Sequence, residues 1–376
     1  MIEVLAQAPA YDGRSPFPHV RQRVGDHAGQ VALTAATVIA PFVALGVGVW
    51  LAWGSGVTLT DLLLAAVFYV VTGLGVTVGF HRLLTHGSFT ARPWLRVVLA
   101  VAGSMSFQGN LIDWVATHRR HHAFTDQPGD PHSPYRYGTG LGGQLRGLAH
   151  AHLGWMFSSE PTSAAHYAPD LLRNDPAMLR VSRAFPAWCA ASLLLPFAAG
   201  WAISGTLHGG LTAFIWAGLV RIALLQHVTW SVNSLCHMLG ERPYRTRRHD
   251  RSTDLWPLAL LSFGESWHNG HHSQPNCARH GRGAGQIDPS AALISLFERL
   301  GWATNVHWQP PDFLQHHRAV AGKHTLHTSA RSPDSSRALP AHQGKGTSCP
   351  IKPGRPQTIS LPPQPAAPDG PDGKRN

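Results

Sequence analysis

Apolar residues in this chain gather into four long stretches. Residues 28–60 and 62–80 contain no Asp, Glu, Lys or Arg, 185–207 is equally free of them, and 209–230 is interrupted only by Arg221 and His227. Each is long enough to cross a hydrocarbon core about 30 Å thick, which takes roughly 20 helical residues. The pattern predicts an all-α integral membrane protein with four spans, at about 32–53, 60–80, 185–207 and 210–232. Their spacing arranges them as two hairpins joined by a cytoplasmic helical block. The first stretch begins too far into the chain, and lacks a small-residue cleavage signature, to be a signal peptide. Residues 97–107 are apolar but too short to cross, and are expected in the interface or as a cap on the bundle.

Between the spans, arginine sets the orientation. The short linkers 54–59 and 205–210 have no Lys or Arg, whereas the N-terminal arm (Arg14, Arg21, Arg23), the long middle segment and the region after the fourth span are arginine-rich. The positive-inside rule then puts both termini and the middle segment on the cytoplasmic side of the inner membrane. Residues 1–27 read as a polar arm and 28–311 as the membrane domain. All the lysines (Lys323, Lys345, Lys352, Lys374) fall beyond it, among Pro, Ser, Gly and Gln, so 319–376 reads as a disordered tail. The net charge of +11 is accounted for by topology, lipid head groups and the tail, and no nucleic-acid partner is expected. Cys189, Cys236, Cys277 and Cys349 show no paired spacing, and no disulfide framework is expected on a reducing face.

The candidate chemistry is histidine. His81 and His86 are five residues apart, and two triplets follow, His118, His121, His122 and His268, His271, His272. All lie at cytoplasmic ends of spans. In a His-x-x-His-His triplet the imidazoles sit at i, i+3 and i+4, on one face of a helix. Imidazole binds zinc, copper, iron and nickel, and eight of them exceed what one ion needs, so two ions are expected. His81 and His86 would stand about 140° apart on a regular helix. They converge only if the helix ends or unwinds between them. Isolated histidines (His19, His27, His208, His280, His307) read as surface or capping residues. Arg221 falls deep in the fourth span, where an ionisable group is a functional suspect with a structural partner. A metal transporter would set its ligands inside the spans, which are nearly free of them.

Together the three boxes resemble those of the integral-membrane fatty acyl desaturases, most closely the delta-9 acyl-CoA branch and its bacterial members. The resemblance runs from about Gly79 to Trp308. It includes Gln108, the Asp113-Trp114 pair, Gly129-Asp130-Pro131-His132, His152-Leu-Gly-Trp155, Thr229-Trp-Ser-Val-Asn-Ser234, Gly264-Glu-Ser-Trp-His268, Ala278-Arg-His-Gly281 and Gln286-Ile-Asp288. It implies a ninth ligand, His237, from the element Asn233-Ser-Leu-Cys-His237, with Asn233 the partner of a metal-bound water. It also implies a pair of iron ions, O2 as co-substrate, and a cis double bond formed between carbons 9 and 10 of a saturated acyl chain. Gln108, Trp114, Thr229 and Trp230 match positions around the bend of an acyl tunnel. Asp113, Asp126, Asp130 and Glu265 are near enough in sequence to accept the free N–H of ligand imidazoles.

One departure concerns the head group. The animal acyl-CoA enzymes follow the His-x-Gly-Trp element with a basic pair that grips phosphates, and here Ser159 and Glu160 stand there. The substrate is therefore an acyl-CoA or a lipid-linked acyl chain. Two electrons per turnover must come from an external donor, a ferredoxin or an iron–sulfur reductase, which the arginine-rich cytoplasmic face would attract. The rival readings are a di-iron hydroxylase of acyl lipids and a non-enzymatic metal-handling membrane protein.

Overall fold

The computed structural model describes residues 24–55, 57–138, 140–158 and 161–309. Most of the predicted arm, the predicted tail, and Ser159 and Glu160 lie outside the described residues. Among the described residues the architecture is helical, as the patterning predicts, apart from a short antiparallel pairing of Thr90–Ala91 with Ala303–Thr304 and isolated bridges from Asp254 to Glu241 and Trp267.

Three helices among the described residues, against the four expected, are long and apolar enough to cross a membrane: Leu59–Thr85, Phe185–Ser204 and Leu207–His237. They coincide with the second, third and fourth predicted spans. The first predicted span falls on the continuous helix Val24–Ser55, whose described apolar part is the shorter Thr34–Gly48. Large apolar side chains cover the outside of the crossing helices; Leu62, Val67, Val71, Leu194, Ile203 and Leu211 are all exposed. Such a surface suits hydrocarbon rather than water, and the chain is a membrane protein.

Polar groups fix the outer ends. Thr58 caps the second span: its hydroxyl accepts from the Asp61 amide at 3.1 Å, and Asp61 Oδ2 accepts from the Thr58 amide at 3.1 Å. The other carboxylate oxygen of Asp61 accepts from Thr212 Oγ1 at 3.0 Å, tying the second span to the last. The turn between the last two spans uses Gly205 in the left-handed region (φ 69°), followed by Thr206, whose hydroxyl caps the Gly209 amide at 3.1 Å.

Of the predicted 97–107, residues 97–104 belong to the helix Pro93–Ser104, which packs on the histidine-bearing half of the second span, and 105–107 form the turn after it. The approach is close because Gly75 has no side chain; a Cβ there would lie 2.2 Å from the Gly103 nitrogen. Leu95, Leu99 and Ala100 turn into a core with Phe80, Leu111 and Val115, while Val97 and Val98 stay exposed. Arg221 is buried and satisfied. Its guanidinium donates to Ser192 Oγ at 2.9 Å, the Ser192 carbonyl at 3.0 Å and the Ala217 carbonyl at 2.9 Å. It is thus a structural cross-link between the last two spans.

Candidate metal centre

The helix of the second span changes form before it ends. From Gly75 to Thr85 it widens into a π-helix, and the His86 amide donates to the His81 carbonyl at 3.1 Å, an i→i+5 bond. With about five residues closing each ring, positions five apart stand nearly one above the other. The two histidines that a regular helix would splay therefore share one side, with ring centroids 4.8 Å apart.

Box two lies on the helix Leu111–Phe124 and box three on the short helix His268–Ser273. Their triplets are divided rather than kept whole. His118 and His122 join His81, His86 and His271 in one group, and His268 and His272 join His121 and His237 in a second. In each triplet the i and i+4 rings serve one group and the i+3 ring serves the other. Within each group the candidate ligand nitrogens lie within 4.8 Å of one another.

Backbone contacts set the box-three helix in place. Gly270 permits the close approach of the His280 carbonyl, 2.6 Å from where a Cβ would stand. The Gly270 amide donates to Asp254 Oδ1 at 3.0 Å, and Asn269 Oδ1 accepts from the Tyr244 amide at 2.8 Å. Burial raises the Asp254 carboxyl to about 6.

The inward atoms are Nε2. His81 and His271 face each other at 3.2 Å, His271 and His122 at 2.9 Å, and His122 and His118 at 3.1 Å. In the second group His237 faces His268 at 3.1 Å, His268 faces His272 at 3.0 Å, and His272 faces His121 at 3.4 Å. The outward Nδ1 atoms donate to carboxylates: His81 to Glu265 at 2.5 Å, His121 to Asp130 at 3.0 Å, His237 to Asp126 at 2.9 Å and His272 to Asp250 at 2.9 Å. That tautomer leaves a lone pair on each of those Nε2 atoms. Lone pairs about 3 Å apart repel unless a cation sits between them, so the donor set fits metal ions, one per group.

Burial keeps six of the nine rings neutral. It pushes His86, His118, His122, His268 and His271 well below the usual imidazole range, and the neighbouring imidazoles push the same way. Burial takes His272 down to about 4 against the pull of Asp250. Burial alone would raise the Asp130 and Asp250 carboxyls, but the facing His121 and His272 override it and hold both below the usual range. At neutral pH these six rings are unprotonated and the Asp130 and Asp250 carboxylates charged, as metal binding requires.

Of the four carboxylates singled out from sequence, Asp126, Asp130 and Glu265 support ligands. Asp113 does not: it sits in the first turn of Leu111–Phe124, where its amide donates to the Asn110 side chain at 3.1 Å. His280 is a correction. Expected as a surface or capping residue, it is fully buried, with Nδ1 3.3 Å from Glu265, burial taking it to about 4. Asp250 and Arg82 are not singled out by the sequence, and Asp288 enters there only through the Gln286-Ile-Asp288 resemblance. Arg82 is buried between Glu265 (3.1 Å) and Asp288 (3.0 Å) and holds the carboxylate that orients His81. Asp126 supports His237 from the left-handed region (φ 56°), a conformation that costs about 1 kcal/mol and clusters at functional sites.

A mostly apolar cavity reaches both groups. His81, His118 and His268 form its polar end beside Asn233, and Val76, Leu225, Val228 and Val232 line its apolar length. Trp114 lies flat against His118, with centroids 5.1 Å apart, and lines the cavity, as does Thr229. Trp230 is buried outside the lining, its ring 6.0 Å from His152. Gln108 is also outside it, and its Nε2 is buried without a hydrogen-bond partner.

Residues 59–284 match the family model described as fatty acid desaturase. The chain is 36% identical over 258 residues to the hex-5-enoyl-(acyl-carrier protein) acetylenase of Moorena producens, covering 68% of this chain and 79% of that protein. It is 36% identical over 242 residues to the sn-1 stearoyl-lipid 9-desaturase of Anabaena variabilis, covering 64% and 80%. It is 37% identical over 250 residues to the delta-9 acyl-lipid desaturase 1 of Arabidopsis thaliana, covering 65% and 74%. With the matched region containing all three histidine boxes, the chain belongs to the fatty acid desaturase family.

Proposed function

We propose that this chain is an O2-dependent acyl desaturase that introduces a cis double bond at carbon 9 of a saturated chain carried by a lipid. The observation that carries the reading is the division of nine imidazoles into two groups, three of whose rings, His81, His118 and His268, line an apolar cavity. The ligands in this reading are His81, His86, His118, His122 and His271 for one iron, and His121, His237, His268 and His272 for the other. Asn233, at the same end of the cavity, holds a water on the open side of the site. A lipid-linked substrate is supported by two relatives named as lipid desaturases, and by Ser159 and Glu160 in place of a phosphate grip.

An unactivated methylene offers no acidic proton, and no side chain is a strong enough oxidant to remove its hydrogens. An iron pair supplies that oxidising chemistry with O2 when bound. Overall, two hydrogens leave adjacent carbons, two electrons arrive from a donor and two protons from solvent, and O2 becomes two waters. The protein's part is positional. Glu265, Asp126, Asp130 and Asp250 hold ligand rings at their outer N–H groups and increase their donor strength. Val76, Leu225, Val228 and Val232 bind the chain and keep water from it, and Trp114 and Thr229 border it near His118. The chain resides in the inner membrane as four spans with both termini and the boxes cytoplasmic, the first span, at about 32–53, lying within the helix Val24–Ser55.

Expression in a host lacking delta-9 desaturation, followed by fatty-acid profiling with double-bond location, tests the reading. A new 9-monounsaturated acid that disappears with His121→Ala supports it. An unchanged profile despite stable protein and a working electron donor refutes it, and a hydroxylated acid would favour oxygenation instead.

A further inference from the structure

Residues 241–251, which follow the last span and precede box three, carry Arg242, Arg245, Arg247, Arg248 and Arg251, and all five are exposed. Only Glu241 and Asp250 oppose them in this stretch, and Asp250 is buried and turned toward His272. Arg245 and Arg248 form no ion pair with a described residue.

The inward side of the same stretch is bonded to the metal groups. Asp250 accepts from His272 Nδ1 at 2.9 Å, and Arg247 donates to the His122 carbonyl at 2.9 Å. The Arg251 amide donates at 2.9 Å to Asp126 Oδ2, the oxygen that also accepts from His237 at 2.9 Å. The Arg251 guanidinium lies 4.1 Å over the Tyr135 ring, whose hydroxyl donates to the His237 carbonyl at 2.7 Å. One short segment thus joins an uncompensated cationic surface to ligands of both groups.

We propose that residues 241–251 are the docking surface for an acidic one-electron carrier protein of the iron–sulfur type. Its electrons pass inward through Asp250 to His272 and through Arg247 to His122. This rests on the desaturase reading, which requires two electrons per turnover. At each encounter the carrier is oxidised by one electron and the metal pair is reduced by one, and two encounters complete the demand. Opposite charge steers such a carrier and sets its orientation. An anionic lipid surface would answer the same charge but has no use for the inward bonds, and those bonds favour the carrier.

The test uses the full chain in nanodiscs of phosphatidylcholine, with an acidic plant-type ferredoxin as probe. Arg245→Glu/Arg248→Glu reverses two charges that touch neither metal group. Its affinity for ferredoxin should fall on the order of tenfold at low salt, with the difference closing as salt is raised. The ratio of ferredoxin-driven to dithionite-driven turnover should fall with it, and Arg245→Lys/Arg248→Lys should bind like the wild type. Equal affinity in wild type and charge-reversed variant, or a loss seen only with phosphatidylglycerol vesicles, overturns the proposal. Absence of product with either reductant counts against the desaturase reading, while the binding titration still decides the docking surface.

Discussion

Asp250 accepts the Nδ1 proton of His272 at 2.9 Å, so a carboxylate from an arginine-rich surface stretch sets the orientation of an inner ligand. Neither residue predicts the other by spacing, since they lie 22 positions apart. Loss of such a partner typically weakens metal affinity 10- to 100-fold. Asp250→Asn should therefore lower the metal retained after dialysis against a mild chelator by roughly that factor, with the helical content unchanged. Metal content equal to wild type would show that Asp250 is only a surface anchor.

Gly270 is held by the His280 carbonyl, which would lie 2.6 Å from an added Cβ. That neighbour is backbone, so Gly270→Ala must displace the box-three helix or the 278–281 loop. The expected cost is about 1–3 kcal/mol of stability. Thermal unfolding in detergent should show it as a lowered midpoint, together with loss of metal from both groups, because box three feeds both.

Acid should unfold the metal-free protein through its buried imidazoles. His272 and His280 titrate at about 4 in the folded chain and near 6.5 when unfolded. Above pH about 6.5 both states leave these rings neutral, and they add no pH dependence. Below it the unfolded chain binds protons that the folded one refuses, so stability falls as pH drops from about 6.5 to about 4. The melting midpoint of apoprotein should decline across that window, and metal should suppress the decline. A flat profile would contradict the buried, neutral state of these rings.

Chain-length selection should respond to bulk in the apolar part of the cavity. Val228 lines it and is not one of the candidate ligands. Val228→Trp should shift the monounsaturated products toward shorter chains while leaving metal content intact. Uniform loss across all chain lengths, with metal retained, would mean that the cavity is not the acyl site.

Much of the fold was legible because charge-free length is a strong signal: the spans at 60–80, 185–207 and 210–232 fall on crossing helices. The box histidines were legible from their i, i+3, i+4 spacing, but their division between two groups was not. One helical face says nothing of how many ions it meets when another helix faces it. The convergence of His81 and His86 depended on a widened helix, which periodicity does not announce. His237 emerged only through the family resemblance. His280 and Asp250 were invisible for a simpler reason. Each is a lone polar residue in a loop, and its partner is chosen by chain closure rather than by neighbours in sequence.

The most direct test of the central claim is metal stoichiometry in the full chain purified from iron-supplemented cells, by elemental analysis with Mössbauer spectroscopy. The predicted result is two irons per chain with spectra of a histidine-ligated pair, falling below two in His121→Ala. A single iron per chain, or iron content unaffected by His121→Ala, would contradict the account.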